Sequence, residues 1–194
     1  MDITALAAFV GGLILFFGMH FFTTFRSRDP DSLVERMGRS YKGLYSVLSL
    51  VGFVAMVWGF DSLRPWPQVW QPPPWTHHIA MTLMLPVFIL LVAAYAPTGY
   101  IKKFVRHPML TAIKLWALAH LTANGDLGGI VLFGAFLIYA VVDRIALKQR
   151  GDAGPVGAEP NIFGDLISVA IGAAAYPAFL FYLHPVLFGV AIVF

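Results

Sequence analysis

Six histidines carry most of the chemical potential of this chain: His20, His77, His78, His107, His120 and His184. His20 and His120 sit in Gly18-Met19-His20-Phe21-Phe22 and Leu118-Ala119-His120-Leu121, flanked by apolar residues. A polar side chain is costly inside a long apolar run, so each is a functional candidate by default. His77 and His78 open an apolar stretch where water can reach them, His107 follows Arg106, and His184 lies in the last apolar block. The chain contains no cysteine. That excludes disulfides, iron–sulfur clusters, cysteine-based zinc sites and covalent haem attachment through C-x-x-C-H. Any metal must be held by histidine or by oxygen ligands.

Spacing sorts the imidazoles. His107 and His120 are thirteen residues apart, about 20 Å along a helix and about 140° around it, so they cannot share an ion. His20 and His120 belong to different apolar segments. Two such histidines facing each other across a bundle would make natural axial ligands for a b-type haem. Gly11, Gly12 and Gly18 beside His20 would admit a flat macrocycle or another helix. Helical rise nevertheless sets His20 and His120 at depths that differ by roughly 10 Å. Matching by depth alone pairs His20 with His107, and His78 with His120. On the face of His120, Trp116 lies one turn earlier and Asn124 one turn later. Lys114 can snorkel to the inner interface or pair with a propionate. Each residue also has a plain structural reading: a hydrogen-bonded packing imidazole, a packed indole, a snorkelling amine.

The elements that must position these residues are membrane spans. Of 194 residues, 59% are hydrophobic and 12% charged, about half the charge of a soluble domain. The mean hydropathy is +0.76, and the apolar residues come in blocks of the length that crosses a hydrocarbon core. These blocks fall near 4–25, 44–62, 77–96, 108–123, 127–143 and 164–193. The expected architecture is an all-α, polytopic membrane helical bundle of about six transmembrane helices, forming a single domain over residues 1–194. Asn124-Gly125-Asp126 is turn chemistry between the fourth and fifth blocks, with Asp126 placed to cap the fifth helix. Pro177 and His184-Pro185 interrupt the last block, which reads as one kinked helix or as a span with an interfacial tail.

Basic residues fall in alternate loops. Arg26, Arg28, Arg36, Arg39 and Lys42 follow the first block; Lys102, Lys103 and Arg106 the third; Arg144, Lys148 and Arg150 the fifth. The loop after the second block has only Arg64. Positive charge marks the cytoplasmic side, so the expected N-terminus is outside and the first apolar run, lacking a basic leader, is an uncleaved span. Ser32-Leu33-Val34-Glu35 has capping-box spacing for a short interfacial helix with Leu33, Val34, Met37 and Tyr41 as its apolar face. On the opposite side, the stretch from Pro65 to Trp75 is stiffened by prolines, and Trp66, Trp70 and Trp75 suit an interfacial belt.

Several motifs resemble those of the NnrU family. They are Gly18-Met19-His20, Tyr41-Lys42-Gly43-Leu44-Tyr45-Ser46, Trp70-Gln71-Pro72-Pro73-Pro74-Trp75, Arg106-His107-Pro108-Met109-Leu110, and the run from Lys114 through His120 to Asp126. They occur in order across nearly the whole chain. The resemblance implies a multi-pass protein of the bacterial inner membrane, associated with nitrite and nitric oxide reductase systems. NnrU proteins are in turn similar to plant 15-cis-zeta-carotene isomerase, a membrane enzyme with a b-type haem. Its haem histidine in the first helix corresponds to His20, and its second, which follows an R-H-P motif, corresponds to His120. The resemblance therefore selects the His20/His120 pair as iron ligands of haem b. Those isomerases carry a cysteine where this chain has Ala117, a departure from their pattern.

Three functions are expected on this basis. The first is a haem protein supporting denitrification by electron transfer, haem handling or sensing, with a respiratory or nitrogen-oxide reductase partner. The second is a haem-dependent cis–trans isomerase acting on a carotenoid or other apolar polyene. The third is a transporter or assembly factor without haem, in which histidines relay protons. Membrane lipid is the common partner, and no nucleic acid is expected.

Overall fold

The computed structural model describes residues 2–155 and 158–190, with only the backbone given for Leu33. Among these residues the regular structure is helical, apart from one isolated antiparallel bridge between Gln68 and Asp126. The helices are α1 (Ile3–Phe25), α2 (Leu33–Met37), α3 (Arg39–Ser62), α4 (Trp75–Tyr95), α5 (Tyr100–Val105), α6 (Pro108–Ala123), α7 (Leu127–Gln149), α8 (Ile162–Ala178) and α9 (His184–Phe188). A π-helical turn, Phe179–Leu183, joins α8 to α9.

Five helical runs are long and apolar enough to cross a membrane: α1, α3, α4, α7 and the continuous run Ile162–Phe188. No more than 22% of the apolar window of any of them is buried within the protein. Such surface is stable only in lipid, and the chain is a polytopic helical membrane protein. The sixth expected span is α6, whose 16 residues make about 24 Å of helix, a little short of the usual core thickness. Of the expected last block, residues 191–193 lie outside the described residues.

The contacts divide the chain into two compact units, Met1–Trp70 with Asp126–Ala135, and Gln71–Gly125 with Phe136–Phe194. In the first, α1 packs along α3. The buried residues of α1 include Ala5, Phe9 and Gly12, and those of α3 include Ser49, Gly52, Met56 and Gly59. Both series step by three and four residues, the repeat of a helix–helix seam. The glycines set its closeness: a Cβ on Gly12 would stand 2.7 Å from Gly52 O, and one on Gly52 would stand 2.7 Å from Phe16 N. Arg28 ends α1 by donating to the carbonyls of Thr23 and Arg26, at 3.2 and 3.3 Å, which satisfies acceptors that a helix C-terminus leaves open. The expected capping box is half made. Ser32 Oγ accepts from Glu35 N at 3.4 Å, but Glu35 is turned to Arg26. Gly38, at φ +53°, stops α2, so Tyr41 belongs to α3 rather than to the interfacial helix.

In the second unit α4 packs against α6 and α8. Val87 and Leu90 of α4 with Ala112 of α6 form its buried core, overlaid by Met84, Leu91, Ile101, Val105, Leu115 and Trp116. Along α8, Gly164, Ser168 and Gly172 are buried at one-turn intervals, the small-residue stripe that lets membrane helices approach closely. Tyr176 reaches across to donate to Met81 O at 2.9 Å.

Candidate functional site

The first-unit imidazole is fixed by its own helix and by α3. His20 stands one turn after Phe16 and extends the line of seam residues toward the end of α1. Its Nδ1–H donates to Phe16 O at 2.7 Å. The ring lies 4.1 Å from the Phe16 ring and 5.3 Å from that of Tyr45 on α3. Its backbone carbonyl accepts from Thr24 Oγ1 at 3.0 Å. One turn before Tyr45, the Tyr41 hydroxyl shares a 2.6 Å hydrogen bond with Thr23. Of the three nearby glycines, only Gly12 meets another helix; a Cβ on Gly11 or Gly18 would find nothing within 4 Å.

The second-unit imidazole repeats this arrangement. His120 donates from Nδ1 to Trp116 O at 2.8 Å and lies 5.1 Å from the indole centroid. Asn124 donates from its amide to His120 O at 2.8 Å. Trp116 is steadied in turn by an edge-on contact with Phe136 of α7, at 5.1 Å. His120, Trp116 and Asn124 thus form the cluster that their one-turn spacing predicts. Lys114 stands elsewhere, about 120° around the helix from His120, close enough to Arg144 for their charges to interact. Ala117 is fully buried.

A neutral imidazole that donates at Nδ1 holds its lone pair at Nε2, the atom a metal would take. Ligating histidines characteristically bond their other N–H to a carbonyl or carboxylate, which fixes tautomer and ring plane. His20 and His120 both meet this condition. Among the described residues, no group of three or more His, Asp or Glu side chains could hold a bare metal ion. A porphyrin brings four nitrogen donors of its own, so two axial imidazoles suffice.

The remaining histidines differ in setting. His107 precedes α6 and its Nε2 bonds to Asp152 O at 3.3 Å, with the Asp152 carboxylate 3.9 Å away. His77 and His78 are exposed in the first turns of α4. His184 follows the π-helical turn and donates to Val190 O at 3.0 Å. It lies near enough to His120 for the two rings to interact electrostatically. Pro177 within α8 and Pro185 within α9 each lack a backbone N–H, and the wider π turn falls between them. Such turns re-aim side chains and occur often at functional sites. Tyr45 and His184 were not singled out as site residues by spacing. The signal for Tyr45 was the one-turn ladder Tyr41, Tyr45, Ser49 leading into the glycine seam of α3.

Neither the curated proteins nor the solved structures include a match to this chain. The NnrU protein family matches it over residues 8–192. That covers every helix described above except the first turns of α1, and the chain belongs to the NnrU family.

Proposed function

We propose that this NnrU protein binds one b-type haem with His20 and His120 as its iron ligands, and that it supports nitrogen-oxide respiration by electron transfer, haem handling or sensing. The observation that carries the reading is the shared geometry of the two rings. Each gives its Nδ1–H to the carbonyl one turn earlier, at 2.7 and 2.8 Å, and rests against an aromatic ring. The carbonyl satisfies the ring's donor in an apolar medium and keeps the lone pair on Nε2. The aromatic neighbours limit rotation, so little ordering entropy is lost when the ring takes up a ligand. Bound haem would supply one-electron exchange. Electron transfer, haem handling or sensing is favoured over polyene isomerisation because Ala117, beside His120, offers no thiol.

The positive-inside distribution supports an inner-membrane topology with the N-terminus outside and the Arg26–Lys42 loop in the cytoplasm. The test of the haem reading is the reduced-minus-oxidised spectrum of protein purified from haem-replete cells, with haem quantified per chain. A b-type spectrum at one haem per chain is expected, lost or altered by His20→Ala and by His120→Ala. A colourless wild-type preparation would overturn the reading.

A further inference from the structure

We infer that the first unit carries a binding site for the phosphate of an anionic phospholipid, where α1, α2 and α3 meet at the membrane surface. A partly enclosed cavity of about 460 Å³ lies there, lined by residues that include Arg26, Glu35, Arg39, Tyr41, Lys42 and Tyr45. Three of these carry positive charge and one, Glu35, carries negative charge and is taken up by Arg26, which leaves an excess of two cations around the space. The cavity marks the end of the α1 span and the start of the α3 span, the depth at which lipid phosphates lie. Basic pockets on this side of membrane proteins take anionic headgroups.

Arg26 is the built part of the site. Its guanidinium is held by Glu35 Oε1 at 2.5 Å and lies over the Tyr41 ring, 5.1 Å from the centroid. Only 18% of the side chain is exposed, and its buried Nε–H meets no acceptor among the described residues. An orphaned donor on a buried cation is costly, and a phosphate oxygen in the cavity would satisfy it. Because Glu35 and Tyr41 already fix the side chain, the ligand does not bear the cost of ordering it. Arg39 and Lys42 are exposed on the first turn of α3 and can close over the headgroup. The Thr23–Tyr41 hydroxyl pair at 2.6 Å adds polar lining below it.

Native mass spectrometry of protein released from nanodiscs tests this, comparing phosphatidylglycerol with phosphatidylcholine and adding inorganic phosphate in a third arm. Arg39→Gln/Lys42→Gln removes the two exposed cations and leaves the Arg26–Glu35 contact intact. Lys103→Gln/Lys148→Gln is the matched control. Wild-type and control proteins are expected to retain one phosphatidylglycerol, and the Arg39/Lys42 double variant to bind it about 30-fold more weakly, at roughly fivefold per cation. Equal retention by both double variants, or equal retention of phosphatidylcholine, would overturn the proposal. Displacement of phosphatidylglycerol by millimolar phosphate would assign the pocket to the free anion and overturn its lipid identity. Loss of haem from the Arg39/Lys42 variant with lipid retention unchanged would also overturn it, by making the cations partners of the propionates.

Discussion

The Asp165 carboxylate stands where a side chain on Gly99 would have to go. A Cβ built on Gly99 would lie 2.7 Å from Asp165 Cγ and 2.8 Å from its backbone nitrogen. The carboxylate uses that closeness to accept from the backbone N–H of Tyr100 and Ile101, at 2.8 and 2.9 Å. An acidic residue at the start of α8 therefore caps α5, a helix it is joined to only through space. Lys102 works at the same junction, donating to the carbonyls of Ala94 and Ala96 at 3.0 Å each and closing the end of α4.

Asp165→Ala leaves two N–H groups of α5 without an acceptor and should destabilise the protein by about 1–2 kcal/mol, the usual cost of a lost N-cap. Asp165→Asn keeps one acceptor oxygen and should recover about half. Gly99→Ala should cost at least as much as Asp165→Ala, because one of the atoms in its way is backbone. Reversible unfolding in mixed micelles measures all three. A Gly99→Ala protein as stable as wild type would show that α8 and the α4–α5 junction are not in contact.

Gly12 and Gly52 should respond differently from Gly11 and Gly18, although all four lie in apolar spans. Valine at Gly12 or Gly52 meets the opposing backbone, whereas Gly11 and Gly18 have open space around them. Gly12→Val and Gly52→Val are expected to cost about 1–3 kcal/mol, the range for overpacking a close interface. Gly11→Val and Gly18→Val should lie within about 0.5 kcal/mol of wild type. The Gly12 and Gly52 changes push apart the helices that carry His20 and Tyr45. They should therefore also lower haem occupancy, measured by absorbance per protein.

The spans were legible in the sequence because lipid leaves a helix few ways to hide polarity. The block 108–123 coincides with α6, and the Asp126 cap is present, with its carboxylate accepting from Gly129 N at 2.7 Å. What hydropathy could not see are helix ends that leave the apolar core. α3 begins at Arg39 rather than near residue 44, and α7 runs on to Gln149, since charged first and last turns lower any window average. α5 was invisible for a related reason: its six residues are held by Asp165, a partner far away in sequence. Trp66 was expected in an interfacial belt with Trp70 and Trp75. Those two are 40% and 60% exposed, as a belt requires. Trp66 instead lies on Gly128, packs 5.2 Å from Phe9, and donates to Phe60 O at 3.0 Å. Composition cannot separate the two kinds of tryptophan, because the difference depends on where the chain folds back. For the site, spacing found His120 with Trp116 and Asn124 because they share one helix. It missed Tyr45 and His184, which reach their neighbours from other helices.

The absence of cysteine makes the topology directly testable. Single cysteines at Pro30, Gln71 and Gln149 fall at exposed positions, before α2, before α4 and at the end of α7. In intact cells a membrane-impermeant maleimide should label only Gln71→Cys. Pro30→Cys and Gln149→Cys should label only after the membrane is permeabilised. The opposite pattern would invert the orientation, and labelling of all three in intact cells would argue against a membrane-spanning arrangement of the intervening helices.

The four informative histidine variants should separate ligands from neighbours. On the proposed ligation, His20→Ala and His120→Ala would each remove one iron ligand, and the iron should pass from six-coordinate low spin to five-coordinate high spin, seen by electron paramagnetic resonance and in the Soret band. His107→Ala loses a contact with Asp152 ahead of the first turn of α6 and should leave the spectrum unchanged. His184→Ala is the discriminating case. His184 interacts electrostatically with His120 but gives its Nδ1–H to Val190 O at 3.0 Å, one residue past the Gly189 that ends α9. If His20 and His120 are the ligands, His184→Ala keeps a low-spin b-type spectrum. A high-spin spectrum in His184→Ala, with His20→Ala unchanged, would move the second axial bond from α1 to the segment after the π turn.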